Sequence, residues 1–145
     1  MSKTYRLTQA QRAANSVFQA MTRLGIGANY RQILSVQGRR SGELRSTPVD
    51  VMDVGGDQWL VAPYGISNWV RNVRASGEVS LTRRHHTAKY RAEEVTGAAA
   101  VPVLRTYIRK VRVTRPYFDV TAESSQEDLL TSVLTHPVFR LTPAL

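Results

Sequence analysis

The chain has 145 residues, 42% of them apolar, with 20 Lys plus Arg against 11 Asp plus Glu, a formal charge of +9 and no cysteine. A chain of that length suits one domain that buries roughly 70% of the surface its unfolded form exposes, so its core needs neither metal nor crosslink. The composition excludes a disordered tail protein, a disulfide framework, thiol catalysis and zinc–cysteine sites, and the longest apolar run, Ala98 to Leu104 with Pro102 inside it, falls far short of the ~20 residues of a membrane span.

The first residues, Met1-Ser-Lys-Thr-Tyr-Arg6, are polar with no apolar stretch, so the expected location is the cytoplasm. From Thr8 to Leu24, Ala10, Ala13, Ala14, Val17, Phe18, Met21 and Leu24 recur at three- and four-residue steps, which predicts an amphipathic helix over 8–24 ending before Gly25. Arg12 and Arg23 flank Phe18 and Met21 there, a pattern compatible with a lid, a core helix or a peripheral contact with a membrane surface.

Gln32 to Val36 reads as a strand, Gly38-Arg39-Arg40-Ser41-Gly42 as a turn, and Arg45 to Val54 as a strand in which Thr47, Val49 and Val51 alternate with Ser46, Pro48 and Asp50. Gly55-Gly56-Asp57 predicts a hairpin into a returning strand over Gln58 to Ala62. Pro63-Tyr64-Gly65 breaks it, and a short helix runs from Asn68 to Ala75. Val79 to Arg83 and Lys89 to Val95 are expected as a second hairpin joined by the basic stretch Arg83-Arg84-His85-His86. A helix bearing Leu104, Tyr107, Ile108 and Val111, then Pro116-Tyr117-Phe118, a polar helix from Ser124 to Leu134 and a last strand over Val138 to Leu141 complete the chain. Tight hairpins within runs of strands argue an antiparallel α+β fold, because parallel strands need a long crossover at each step.

Few residues carry chemistry on their own. His85 and His86 are adjacent, and neighbours on a strand point to opposite faces, so no metal site is expected. There is no Gly-x-Ser-x-Gly elbow, and Gly25-Ile26-Gly27 follows a helix where a dinucleotide fingerprint follows a strand. The Gly38–Gly42 turn brackets two guanidiniums and a hydroxyl, with Arg45 just beyond. It is either a loop that turns Arg forks and backbone N–H groups on one anion or a solvated hairpin tip. Trp69, at the opening of a short helix, is either a core anchor or a platform for a ring.

The run Leu34 to Val49 around that turn, then Trp59-Leu-Val-Ala62, then Trp69-Val-Arg-Asn-Val-Arg-Ala75, resembles the deazaflavin (coenzyme F420)-dependent nitroreductase family of actinobacteria. Pro116-Tyr117-Phe118 and Pro137-Val138-Phe139 resemble that family's tyrosine-bearing segment and closing strand, so the likeness spans roughly residues 30–141. It implies a split β-barrel of mostly antiparallel strands with flanking helices, in one domain over 1–145, that holds coenzyme F420 in a groove. The implied cofactor contacts are Arg39, Arg40 and Ser41, then Arg45, Ser46, Thr47, Pro48, Val49 and Asp50, then Val61, Ala62, Pro63 and Tyr64, then Asn68, Trp69, Val70, Arg71 and Asn72. Tyr117 is implied at the substrate mouth, as proton donor or as wall. Pro63 and Tyr64 stand where family members commonly carry Ser and a basic residue, and Thr114 and Val120 stand at the family's other aromatic positions.

The activity implied is hydride transfer from reduced F420 to a small-molecule acceptor: an activated double bond, a quinone or a nitroaromatic. A homodimer is an open expectation. F420 carries a phosphate and a polyglutamate tail, and a strongly basic chain suits a polyanion. The alternatives are an F420 or flavin carrier without turnover, and a basic nucleic-acid module. Only charge and interleaved Arg and Tyr support the latter, with no recognisable motif for specific nucleic-acid binding.

Overall fold

The computed structural model describes residues 30–144, so the helix expected over 8–24 lies outside the described residues. Six strands, β1 (Arg31–Gln37), β2 (Leu44–Val54), β3 (Asp57–Val61), β4 (Glu78–Arg83), β5 (His86–Val95) and β6 (Val138–Pro143), pair antiparallel and close into a barrel in the order β1-β2-β3-β6-β5-β4. Closure leaves no edge strand, and α1 (Asn68–Ser76), α2 (Val101–Lys110) and α3 (Gln126–Thr135) flank it. This is the α+β split barrel.

Local sequence explains the connections. Gly55 and Gly56, at φ +64° and +84°, form the two-residue turn between Val54 and Asp57, a conformation that only glycine adopts cheaply at both positions. The second hairpin is tighter than the sequence suggests. Arg83 pairs with His86, so only Arg84 and His85 turn, with Arg84 at φ +57°, and β5 starts at His86 instead of Lys89. Helix α2 stops at Lys110, one residue short of Val111, and Arg115 closes its end by donating from Nε to the Ile108 carbonyl (2.8 Å) and from Nη2 to the Arg109 carbonyl (3.0 Å). A 3₁₀ segment over Arg112–Tyr117 follows. The polar helix starts at Gln126, later than expected, because Ser125 is its N-cap and accepts from the Asp128 amide at 3.1 Å.

Two apolar clusters divide the strands by face. Leu34, Val36, Val51, Leu60, Leu81 and Phe139 fill the barrel, and Val70 and Val73 of α1 pack into the same cluster. Met52, Trp59, Val61 and Val138 face the other way, against Leu104, Tyr107 and Ile108 of α2 and Leu129 and Val133 of α3. The two-residue repeat of a strand thus places neighbours on β2 and β3 in different cores. Helix α1 ends at Gly77, whose φ of +73° lets its N–H reach the Val73 carbonyl at 2.7 Å, and Arg74 clamps Glu94 of β5 through two bonds of 2.8 Å. No helix among the described residues is long and apolar enough to cross a membrane.

Candidate cofactor groove

A groove of about 820 Å³ runs along β2, between the Gly38–Gly42 turn at one end and α2 with its 3₁₀ extension at the other. Every residue of the cofactor set implied by the sequence borders it except Ala62 and Val70. Those two point into the barrel core instead, where both are at most 1% exposed. The groove also takes in residues outside that implied set: Arg31, Gly38, Ser67, Tyr107, Val113 and Thr114.

The turn is held in shape from within. The Gly38 amide donates to the Glu43 carbonyl at 2.7 Å, the Gly42 amide to the Gly38 carbonyl at 3.0 Å, and the Glu43 amide to Ser41 Oγ at 3.1 Å. A Cβ at Gly38 would stand 3.0 Å from Ser41 Oγ and 3.1 Å from the Glu43 carbonyl, so any side chain there would push the turn by a few tenths of an ångström. Asn72 anchors it from outside: its Oδ1 accepts from the Arg39 amide at 3.1 Å and from Arg39 Nη1 at 2.8 Å. Asn72, implied as a cofactor contact, therefore positions Arg39 at the groove. Arg45 is exposed and lies 3.6 Å from Glu43.

Helix α1 opens onto the groove without a side-chain cap and without an acidic residue in its first turn. Its N-cap, Ser67, holds the one buried side-chain oxygen that lacks a hydrogen-bond partner among the described residues. At the far end, Arg31 Nε bonds Asp50 Oδ1 at 3.0 Å, and Tyr107 and Thr114 close the corner. Burial pushes the Tyr107 phenol well above its ordinary range, and the Asp50 carboxylate adds to this. Tyr117 does not border the groove. It sits behind the mouth, its ring edge-on to Tyr64 with centroids 4.8 Å apart.

The Ala62–Tyr64 segment is fixed by His136, whose Nδ1 lies 3.1 Å from the Ala62 carbonyl and whose ring packs 4.3 Å from Phe118. Burial holds the His136 imidazole below its ordinary range, outweighing the hydrogen bonds to the backbone.

Removing the Asn72 oxygen leaves the Arg39 amide without its partner, so Asn72→Ala is expected to lower unfolding free energy by about 1–3 kcal/mol in denaturant melts. The same variant should weaken anion binding at the turn although Asn72 keeps no charge of its own. His136 gives a pH signature. Above its unfolded value of about 6.5 both states are neutral. As pH falls below that value the unfolded chain takes up a proton that the folded one refuses, so stability declines until the depressed folded value is passed. Thermal melts from pH 7.5 to 5 should show this decline in the natural protein and a flatter slope in His136→Gln.

Comparison with known proteins adds a family to this geometry. The chain matches F420H(2)-dependent quinone reductase over residues 5–136. No curated protein matches it. Among solved structures it is similar to a domain-swapped dimer (17% identity, TM-score 0.60, covering 92% of this chain and 96% of that one). It is also similar to an F420-H2 dependent reductase, FDR-A (18%, TM-score 0.55, covering 78% and 94%). A haem-binding protein from Mycobacterium smegmatis is similar as well (14%, TM-score 0.57, covering 84% and 49%). At these identities the structural likeness shows the shared fold, whereas the sequence match extends over most of the chain; the chain belongs to the F420H(2)-dependent quinone reductase family.

Proposed function

We propose that the protein is a reductase that binds coenzyme F420 in the β2 groove and passes a hydride to a small-molecule acceptor. The observation that carries this reading is the groove itself, which in a member of this family joins an anchored Arg turn to an apolar slot with a polar far corner. The residues fit the cofactor. Arg39 and Arg40 answer a phosphate, the uncapped start of α1 and the orphaned Ser67 hydroxyl answer polar ligand atoms, and Pro48, Val49, Val61 and Trp69 offer flat apolar walls to a ring. When bound, reduced F420 supplies the hydride.

The protein's part is then placement. Arg39, fixed by Asn72, holds the phosphate in one register, and the walls exclude water from the ring. Tyr64 and the exposed Val113 at the rim present an apolar mouth to the acceptor, which suits conjugated enones and lactones, quinones or nitroaromatics. Tyr117 supports Tyr64, whose ring lines the groove, and the proton that completes the reduction comes from solvent. A homodimer also fits this reading, since the similar domain-swapped dimer pairs the same fold.

Titration with F420, FMN and haem is expected to rank F420 first, and reduced F420 to be oxidised when a quinone or enone is added. FMN or haem on top would overturn the reading. Arg39→Ala should weaken F420 binding by about 1.5–3 kcal/mol, the usual worth of a hydrogen bond to a charged group, and by more than Arg45→Ala, whose side chain is exposed and faces Glu43. Equal affinities for the two variants and the natural protein would reduce the turn to a hairpin tip.

A further inference from the structure

At the groove end remote from the Arg turn lies a largely buried charged pair. Arg31 and Asp50 are directly opposite each other in the β1–β2 ladder. Arg31 Nε donates to Asp50 Oδ1 at 3.0 Å, and their side chains are 19% and 9% exposed. Two residues further along the same face of β2, Met52 packs into an apolar core, so this surface accommodates a hydrophobic side chain readily. A buried pair is usually no more stable than apolar residues of its size. Here burial raises the Asp50 carboxyl above its ordinary range in spite of Arg31.

Among the described residues the Asp50 carboxylate takes one hydrogen bond, at Oδ1. Asp50 lines the groove, and none of the hydrogen bonds among the described residues uses its Oδ2. Tyr107, Thr114 and Tyr64 line the same groove and bring three hydroxyl groups to it.

A guanidinium beside a carboxylate presents a donor next to an acceptor. Its complement is a carbonyl next to an N–H, the edge of a cyclic imide such as the pyrimidinedione end of flavins and deazaflavins. We infer that Arg31 and Asp50 are the seat for this imide edge, Asp50 Oδ2 accepting from the ring N–H and the Arg31 guanidinium donating to the adjacent carbonyl; this rests on the reading of the groove as the F420 site. Arg45 and Asp50 are five residue steps apart, about 17 Å along β2, so a phosphate at the turn and a ring edge at the seat suit one extended ligand. A porphyrin ring presents no such edge, so the pair selects for ligands that carry an amide-type edge, as flavins and deazaflavins do. Asp50 and Arg31 are thus specificity residues rather than acid–base catalysts.

The test is a pair of fluorescence titrations, with the phosphorylated deazaflavin headgroup and with its imide-N-methyl derivative, on the natural protein and on Asp50→Ala, each checked by thermal melt. Methylation removes the donor, and is expected to weaken binding to the natural protein by about tenfold or more but to Asp50→Ala by less than about threefold. An equal loss in both proteins, or none in the natural one, overturns the seat. Should the alanine variant not fold, Asp50→Asn read the same way must shrink the methylation penalty, and an undiminished penalty overturns the seat. FMN and its imide-N-methyl derivative separate this inference from the cofactor assignment. The same coupling with FMN and no deazaflavin binding supports the seat and overturns F420 as the ligand, whereas no binding of either ring overturns both.

Discussion

On strand β2 the two-residue repeat of extended backbone sends Val51 into the barrel and Met52 outward beneath α2 and α3, and among the described residues that outward row is only partly covered. Met52 lies under the helical layer, while Ser46, Pro48 and Asp50 on the same face border the groove. The groove is what remains when a closed barrel is covered along part of one strand. Its floor, Arg45 to Asp50, is hydrogen-bonded to β1 on one side, while β3 pairs with β2 only from Val51 to Val54, so the groove lies where β2 has parted from β3.

Helix α1 connects barrel and groove. Val70 and Val73 bury in the barrel cluster, Gly77 and the Arg74–Glu94 clamp fix its end, and Asn72, 4% exposed, turns its amide oxygen on Arg39. A buried amide must be paired, and here the partner is the turn that borders the groove. Loop and core are therefore coupled: a change that shifts α1 in the barrel also shifts Arg39. At the opposite end His136, neutral and buried, does the same for the Ala62–Tyr64 segment.

Much of this was legible in the sequence, for physical reasons. Hairpins were set by Gly55-Gly56 and by the Gly38–Gly42 turn, and helices by three- and four-residue apolar steps; element ends slipped where capping decides, at Ser125 and Arg115. The β2 row of groove residues came from the family resemblance, and its contiguity on one strand is why the row stays together. Period two also separates Ala62 from Val61, so the inward turn of Ala62 had a signal that a contiguous run of contacts ignored. Tyr107 had none: on α2 it occupies an apolar step, and it meets Asp50 only through tertiary packing. Arg31 becomes a groove residue only once the β1–β2 register places it opposite Asp50.

The central claim is that one extended cofactor spans the β2 groove from the Arg turn to the Arg31–Asp50 corner. A crystal structure of the protein with F420 tests it most directly. The account predicts the phosphate on Arg39 and Arg40 and the ring against the outward face of β2, with its imide edge at Asp50. A phosphate bound away from the turn, or a ring lodged elsewhere on the barrel, would contradict it.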